Sequence, residues 1–143
     1  MPYVTDTEID LTPHEIESRY IISSQHRRKG NPNKCVWIIT YDDEVNCFVQ
    51  TIQQNWRAGT SAWGVIVDNN IVQILGRNSS NEELKIAKFV DGNDNEVWHG
   101  YPADYMLKSN DRPDTPILQS WVNNGYITKA KMSKIRLGHS CNL

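Results

Sequence analysis

The sequence has 143 residues, of which 38% are hydrophobic and 22% are charged. This length and composition predict one globular domain over residues 1–143, with enough apolar area for a single core. Five Trp and six Tyr supply bulky core side chains, which excludes wholesale disorder. No apolar run approaches the roughly 20 residues that cross a bilayer, and the first residues lack an apolar signal core, so we expect no membrane partner.

The cysteines and the charge balance exclude several further classes of protein. The three cysteines have no CxxC spacing and the four histidines lack metal-ligand spacing, so we expect a cytoplasmic protein without metal or cofactor. The formal net charge is −2 and the isoelectric point is near 6.1. Domains that bind nucleic-acid polymers usually have an isoelectric point above about 9. The balance therefore disfavours duplex DNA and limits any phosphate recognition to a local site.

The first predicted element is a helix over residues 12–24. Thr12 and Glu15 have the spacing of a capping box, and Pro13 occupies the first helical position, where proline is favoured. Leu11 and Ile16 flank this start as a hydrophobic staple. The pattern is typical of a helix N-terminus.

The next segments predict a strand–helix–strand unit. Residues 35–41 form a short apolar run rich in β-branched and aromatic side chains, which favours a buried strand. Residues 43–56 carry apolar side chains at helical spacing, and residues 62–68 predict a second strand. A right-handed crossover would make these two strands parallel neighbours.

The remaining segments predict an antiparallel meander followed by two helices. The strands are expected at residues 62–68, 71–75, 84–90 and 96–101, with Asn69-Asn70 at a tight turn. Two C-terminal helices follow, one carrying Trp121 and one capped by Thr128. The predicted fold class is α+β: a mixed five-stranded sheet, with one βαβ crossover plus an antiparallel meander, and helices packed on it.

This topology brings four loops to one edge of the predicted sheet, at residues 26–33, 57–61, 76–80 and 99–101. The expected ligand-binding residues at this rim are Arg27, Arg28, Lys29, Arg57 and Arg77, and the candidate catalytic residues are His26, His99 and Tyr101. Guanidinium groups bind phosphate oxygens in bidentate fashion. A histidine beside such cations is held neutral, which suits a proton acceptor.

The sequence therefore predicts a small binding protein for a phosphate-bearing ligand, either a nucleotide or single-stranded RNA. If turnover occurs, His26 and His99 would serve as base and acid in a metal-independent phosphodiester cleavage. Three alternatives stay open, one of which is an accessory subunit whose exposed Trp residues bury against a larger complex. Basic loop residues can be a solvated surface, and the acidic first 25 residues with a basic C-terminal helix also fit a protein-interaction module, such as an inhibitor, antitoxin or immunity protein.

Overall fold

The computed structural model describes residues 3–27 and 34–143. Its strands are β1 (Glu8–Asp10), β2 (Arg19–Ile21), β3 (Val36–Trp37), β4 (Arg57–Ala58), β5 (Ser61–Gly64), β6 (Val67–Asp68), β7 (Ile71–Val72), β8 (Gly76–Arg77), β9 (Glu83–Leu84), β10 (Ile86–Val90) and β11 (Val97–Ala103). The helices are α1 (Tyr41–Gln53), α2 (Thr115–Asn123) and α3 (Lys129–Leu137), and 3-10 turns cover Thr12–His14, Ser24–His26 and Ser109–Asp111. The α+β class is confirmed. None of the described helices has the length and apolar character to cross a bilayer.

The main sheet is mixed and has six strands, one more than predicted, in the order β1-β2-β11-β10-β5-β4. Its neighbours are antiparallel except β2 and β11, which run parallel. A smaller antiparallel sheet has the order β3-β8-β9, and β6 pairs with β7. The mixed character follows from the N-terminal segment, which was not expected to form strands.

The predicted helix over residues 12–24 is wrong. Only a single 3-10 turn forms, Leu11 and not Thr12 is its N-cap, and Glu15 ends it with a φ of 61°. The Thr12 amide donates to Asp10 Oδ1 at 2.9 Å, so the predicted capping box does not form. Burial beyond this turn alternates, with Ile16, Ser18, Tyr20 and Ile22 inside and the residues between them more exposed; these four positions are buried to 94% or more. A period of two is the period of a strand, so the chain pairs with β1 and β11 instead of coiling.

The predicted crossover is also wrong, because residues 35–41 do not enter the main sheet. Only Val36 and Trp37 form a strand, and they pair with β8. Helix α1 itself is confirmed, but it begins earlier than predicted. Thr40 is its N-cap, and the Thr40 hydroxyl accepts a hydrogen bond from the Asp43 amide at 3.1 Å.

The hairpins β6–β7 and β10–β11 and the two C-terminal helices form close to where the sequence predicts them. The predicted four-strand meander is wrong, because β6 and β7 form a sheet of their own and β5 pairs directly with β10. Asn69 and Asn70 both have positive φ angles, of 52° and 63°, at the turn that joins β6 to β7. The Thr128 hydroxyl accepts a hydrogen bond from the Lys131 amide at 3.2 Å and caps α3, and Gly138 ends that helix with a φ of 72°.

Each face of the main sheet has its own apolar cluster. Helix α1 covers one face, where Phe48 contacts Tyr20, Phe89 and Trp98 with ring centroids 4.7–5.9 Å apart. Gly100 lies against Phe89 in this layer, and a Cβ there would be 2.4 Å from the Phe89 ring, so the position has room only for glycine. Helices α2 and α3 contribute to the second cluster, which includes Trp63, Ile86 and Ala103 on the opposite face.

Candidate functional site

Three of the predicted site residues lie together on the sheet face opposite α1. His99 and Tyr101 are two residues apart on β11, so their side chains leave the same face about 7 Å apart. The His26 ring stacks on the Tyr101 ring, with centroids 5.3 Å apart and planes at 23°. The structure therefore brings His26, His99 and Tyr101 to one place.

The hydrogen bond that His26 makes decides its tautomer. Its Nδ1 lies 2.9 Å from the carbonyl oxygen of Cys35, and a carbonyl can only accept, so Nδ1 donates. In the neutral ring Nε2 is then the acceptor. Burial lowers the His26 pKa most, and the positive charges of Lys34, His99 and Lys108 lower it further, although the bond to the Cys35 carbonyl opposes this. The imidazole is accordingly neutral at pH 7.

His99 is half-buried and borders a cavity of about 430 Å³. The cavity is lined by Glu8, Ile21, Gly92, Asn93, Asn95, Val97, Trp98 and His99. Burial lowers the His99 pKa, and the positive charge of Lys34 adds to that effect. This part of the sheet face is only partly covered, because Ser61 and Val90 beside His99 are half-buried too.

Beneath His26, the Tyr101 side chain is fixed by a buried ion pair. The Tyr101 hydroxyl donates to Asp111 Oδ1 at 2.9 Å, and the backbone amide of Asp104 donates to Asp111 Oδ2 at 3.1 Å. Lys88 Nζ lies 3.6 Å from Asp111 Oδ1 and donates to the Asn110 carbonyl at 2.5 Å. Burial raises the Tyr101 pKa, and the negative charge of Asp111 raises it further. The Tyr101 phenol is thus protonated, its hydroxyl is hydrogen-bonded to Asp111, and its ring supports the His26 ring.

Arg27 points away from this face and toward α1. Its guanidinium lies 2.6 Å from Glu44 Oε1, donates to the carbonyls of Ile39 and Thr40, and stacks on the Tyr41 ring at 4.6 Å. Only 14% of its side chain is exposed. Arg27 is therefore part of a structural ion pair.

The other described arginines of the predicted rim also have carboxylate partners. Arg57 contacts both carboxylate oxygens of Glu96, at 2.8 and 3.1 Å, and lies 4.8 Å over the Trp98 ring. Arg77 lies 3.7 Å from Glu83 and donates to the Asn81 carbonyl at 3.1 Å. Three separate acids thus neutralise Arg27, Arg57 and Arg77. Arg28 and Lys29 lie outside the described residues.

The side-chain cations that lower the histidine pKa values are two lysines, neither of which is among the predicted site residues. Lys34 lowers the pKa of both His26 and His99, and Lys108 lowers that of His26. Lys34 is half-buried and Lys108 is exposed. Their sequence neighbourhoods carry no motif. Lys88 did offer a signal, because it interrupts the apolar run of β10 and a charge in such a strand needs a buried partner.

Comparison with protein-family models, with curated proteins and with solved structures found no match for this chain. Within residues 3–27 and 34–143, no group of three or more His, Cys, Asp or Glu side chains is arranged to hold a metal ion. The nearby thiol of Cys35 has its pKa raised to about 11, by burial first and then by the negative charge of Asp104, so it stays protonated at neutral pH.

The Arg57–Glu96 pair predicts an acid-dependent contribution to stability. Hydrogen bonds from Arg57 lower the pKa of Glu96 to about 2, from 4.5. A depressed carboxyl pKa stabilises the fold above pH 4.5, and that contribution is lost as the pH falls toward 2. Because 42% of the Glu96 side chain is exposed, solvent screening limits the cost of Arg57→Ala to about 1 kcal/mol or less at pH 7.

Urea unfolding of wild type and Arg57→Ala at pH 7, 4 and 2.5 measures this contribution. The deficit of the variant should shrink steadily as the pH falls. Arg136→Ala is the matched control, since Arg136 is exposed on α3 and has no ion pair within the described residues. A deficit of equal size at pH 7 and pH 2.5 would show that Arg57 acts through packing alone.

Proposed function

We propose that the protein binds a phosphate-bearing ligand, a nucleotide or a short single strand of RNA, on the sheet face that carries His26 and His99. The observation that carries this proposal is the position of the two histidines on one partly open face, where Lys34 acts on both of them and Lys108 acts on His26. A phosphate can accept hydrogen bonds from imidazole and ammonium groups, and its charge offsets the mutual repulsion of the cations.

The size and the lining of the cavity beside His99 support a compact ligand. Its volume of about 430 Å³ lies within the range of small-molecule sites, roughly 300–1,000 Å³. Asn93 and Asn95 offer carboxamides, which can donate to and accept from a base or a ribose. The net charge of −2 also favours few phosphate contacts over the many that a polymer binder makes.

In this proposal the lysines replace most of the predicted arginines. Arg57 and Arg77 already contact carboxylates, so a phosphate would have to compete with Glu96 and Glu83 for them. Arg28 and Lys29 follow Arg27 directly in the sequence and stay predicted contributors. Three free thiols support the further proposal of a reducing, cytoplasmic compartment.

The double variant Lys34→Ala/Lys108→Ala tests the binding proposal. Loss of charge-assisted hydrogen bonds costs about 1.5–3 kcal/mol, so the dissociation constant should rise roughly 10- to 100-fold. Fluorescence anisotropy with a fluorescein-labelled RNA hexamer, and thermal unfolding with ATP, supply the two probes. Lys134→Ala, an exposed lysine on α3, is the matched control and should bind as wild type does.

The same binding measurements distinguish phosphate binding from the second candidate function, a protein-interaction module. This candidate is supported by Met106 and Leu107, which are 47% and 74% exposed beside a separate cleft of about 560 Å³ that also includes the acidic Glu82 and Glu83. If neither ATP nor the RNA hexamer raises the unfolding temperature or binds, the phosphate proposal fails and the interaction module becomes the better account. Equal RNA binding by wild type and the double lysine variant would also contradict the site.

A further inference from the structure

The two side chains at this site that could act as nucleophiles, a tyrosine hydroxyl and a cysteine thiol, are held in unreactive forms. The Tyr101 hydroxyl donates to Asp111, and the Cys35 thiol is protonated at neutral pH. Chemistry on a phosphate ester here would therefore take its nucleophile from the substrate or from water. The two histidines are then left to move protons, which is the commonest catalytic use of imidazole.

His26 has the geometry of a proton acceptor. Its Nδ1–H is committed to the Cys35 carbonyl, which leaves the Nε2 lone pair as the basic atom. Its ring plane is fixed by the Tyr101 ring, and Tyr101 is in turn held by Asp111. A base whose tautomer and orientation are both set by neighbours needs little reorganisation during reaction.

His99 has the complementary setting of a proton donor. It lies on the same face, two residues before Tyr101, and borders the cavity proposed to hold the ligand. Burial and the charge of Lys34 lower the His99 pKa, and the negative charge of a bound phosphate would raise it again and favour the protonated form. The His99 side chain makes no hydrogen bond within the described part of the chain, so that form can direct an N–H at a leaving group. A pair of imidazoles on one face, one accepting and one donating, can serve the two ends of a phosphodiester displacement.

We propose that this site cleaves RNA by internal transesterification, with His26 as the proton acceptor and His99 as the proton donor. The inference rests on the proposed binding of RNA at the same site. The 2′-oxygen attacks the adjacent phosphorus as His26 Nε2 takes the 2′-hydroxyl proton, and the O2′–P bond forms. The P–O5′ bond breaks as imidazolium His99 gives its proton to O5′. The products are a 2′,3′-cyclic phosphate and a 5′-hydroxyl, and the step needs no oxidant, reductant or further nucleophile.

The lysines and the buried pair have separate roles in this step. Lys34 and Lys108 neutralise the charge that develops on the phosphoryl oxygens. Tyr101, Asp111 and Lys88 are positioning residues, because they act on the reaction only through the orientation of His26.

The test compares three RNA substrates, each labelled at its 5′ end. One is ordinary RNA, one has a 2′-O-methyl group at every residue, and one has a bridging 5′-sulfur at a single linkage. The thiolate leaving group of the third needs no proton. His26→Ala is expected to lower the cleavage rate at least 100-fold on both cleavable substrates, whereas His99→Ala lowers it roughly 100-fold on ordinary RNA and far less at the bridging sulfur. His14→Ala, an exposed histidine on the first 3-10 turn, is the matched control.

The outcomes separate the two proposals. Binding of the 2′-O-methyl RNA without cleavage of ordinary RNA overturns the catalytic inference and leaves the binding proposal intact, whereas absence of binding overturns both. Cleavage of the 2′-O-methyl RNA, or equal loss in His99→Ala on ordinary and bridging-sulfur RNA, also overturns the assigned mechanism.

Since His26 is 92% buried, His26→Phe serves as the second variant, because it keeps the aromatic stack and lacks the basic nitrogen. Its folding is checked by circular dichroism, and unchanged cleavage by a folded His26→Phe would contradict the role of His26.

Discussion

Asp111→Ala is expected to lower the free energy of unfolding by about 3–5 kcal/mol, the range for removing one partner of a buried ion pair. Asp111 is 1% exposed and accepts hydrogen bonds from the Tyr101 hydroxyl and the Asp104 amide. Lys88 is 5% exposed. Without Asp111, its ammonium group would keep only the Asn110 carbonyl and two aromatic rings as partners. An uncompensated buried cation is the main source of the expected cost.

Urea unfolding of three further variants, Asp111→Asn, Lys88→Met and the double variant, separates the charge from the hydrogen bonds. Asp111→Asn keeps a carbonyl acceptor for Tyr101 but removes the negative charge, so its loss should be intermediate. The double variant Lys88→Met/Asp111→Ala removes both charges and should be more stable than Asp111→Ala alone, because no ammonium stays buried without a carboxylate. If the double variant instead shows the summed losses of its two single variants, Lys88 and Asp111 are not energetically coupled.

The Lys88–Asp111 pair contributes both to the stability of the fold and to the geometry of the proposed site. Asp111 fixes Tyr101, and Tyr101 is the surface on which His26 stacks. Asp111→Asn, if folded, is therefore expected to weaken the orientation of His26 as well as the core. In a small domain, one buried network can serve both purposes because the sheet face that carries the site is continuous with the core between β10 and α2.

The sequence predicts elements well where local periodicity and caps agree with burial. Helix α1, the hairpin at Asn69-Asn70 and the two C-terminal helices are of this kind. The predicted helix around Tyr20 is wrong because a complete capping-box pattern lies beside an alternation of period two, at Ile16, Ser18, Tyr20 and Ile22, and the alternation matches the burial. Pairing with β1 and β11 decides that this segment forms a strand, and β11 is almost 80 residues away in sequence.

The sequence predicts that His26, His99 and Tyr101 meet, but it does so through a crossover that the structure does not contain. The crossover used to bring the loops together does not form, since β3 and β5 belong to different sheets. His26, His99 and Tyr101 still meet, because β11 alternates its side chains and the 3-10 turn at His26 packs on Tyr101. The arginine assignments depended on partners that are distant in sequence: Glu44 lies 17 residues from Arg27, and Glu96 lies 39 residues from Arg57. Local patterns carry no information about such pairs.

Glu44→Ala is expected to cost about 3–5 kcal/mol of unfolding free energy, because it leaves the buried Tyr20 hydroxyl without its acceptor and the Arg27 guanidinium without its carboxylate partner. Glu44 is 0% exposed and bridges the sheet to α1: its Oε2 accepts from the Tyr20 hydroxyl at 2.5 Å, and its Oε1 lies 2.6 Å from the Arg27 guanidinium. Tyr20 is also 0% exposed, so its hydroxyl cannot turn to water after the substitution. Glu15→Ala is the matched control, since Glu15 is an exposed acid on the first turn. A loss below 1 kcal/mol would contradict the network, the usual range for surface substitutions being about ±0.5 kcal/mol.

The pH dependence of this network should have the opposite sign to that of Glu96. Burial raises the pKa of Glu44 above 4.5, although the hydrogen bond from Tyr20 and the charge of Arg27 work in the other direction. A carboxyl whose pKa rises on folding contributes stability that is full below pH 4.5 and is lost as the pH rises through the folded-state value. Glu44→Gln keeps an acceptor for Tyr20 but cannot titrate. Wild type should therefore gain stability relative to Glu44→Gln as the pH falls from 7 toward 4.5, measured by urea unfolding at each pH. A loss of stability over the same range would mean that the attraction of Arg27 outweighs the cost of burying the charge at Glu44.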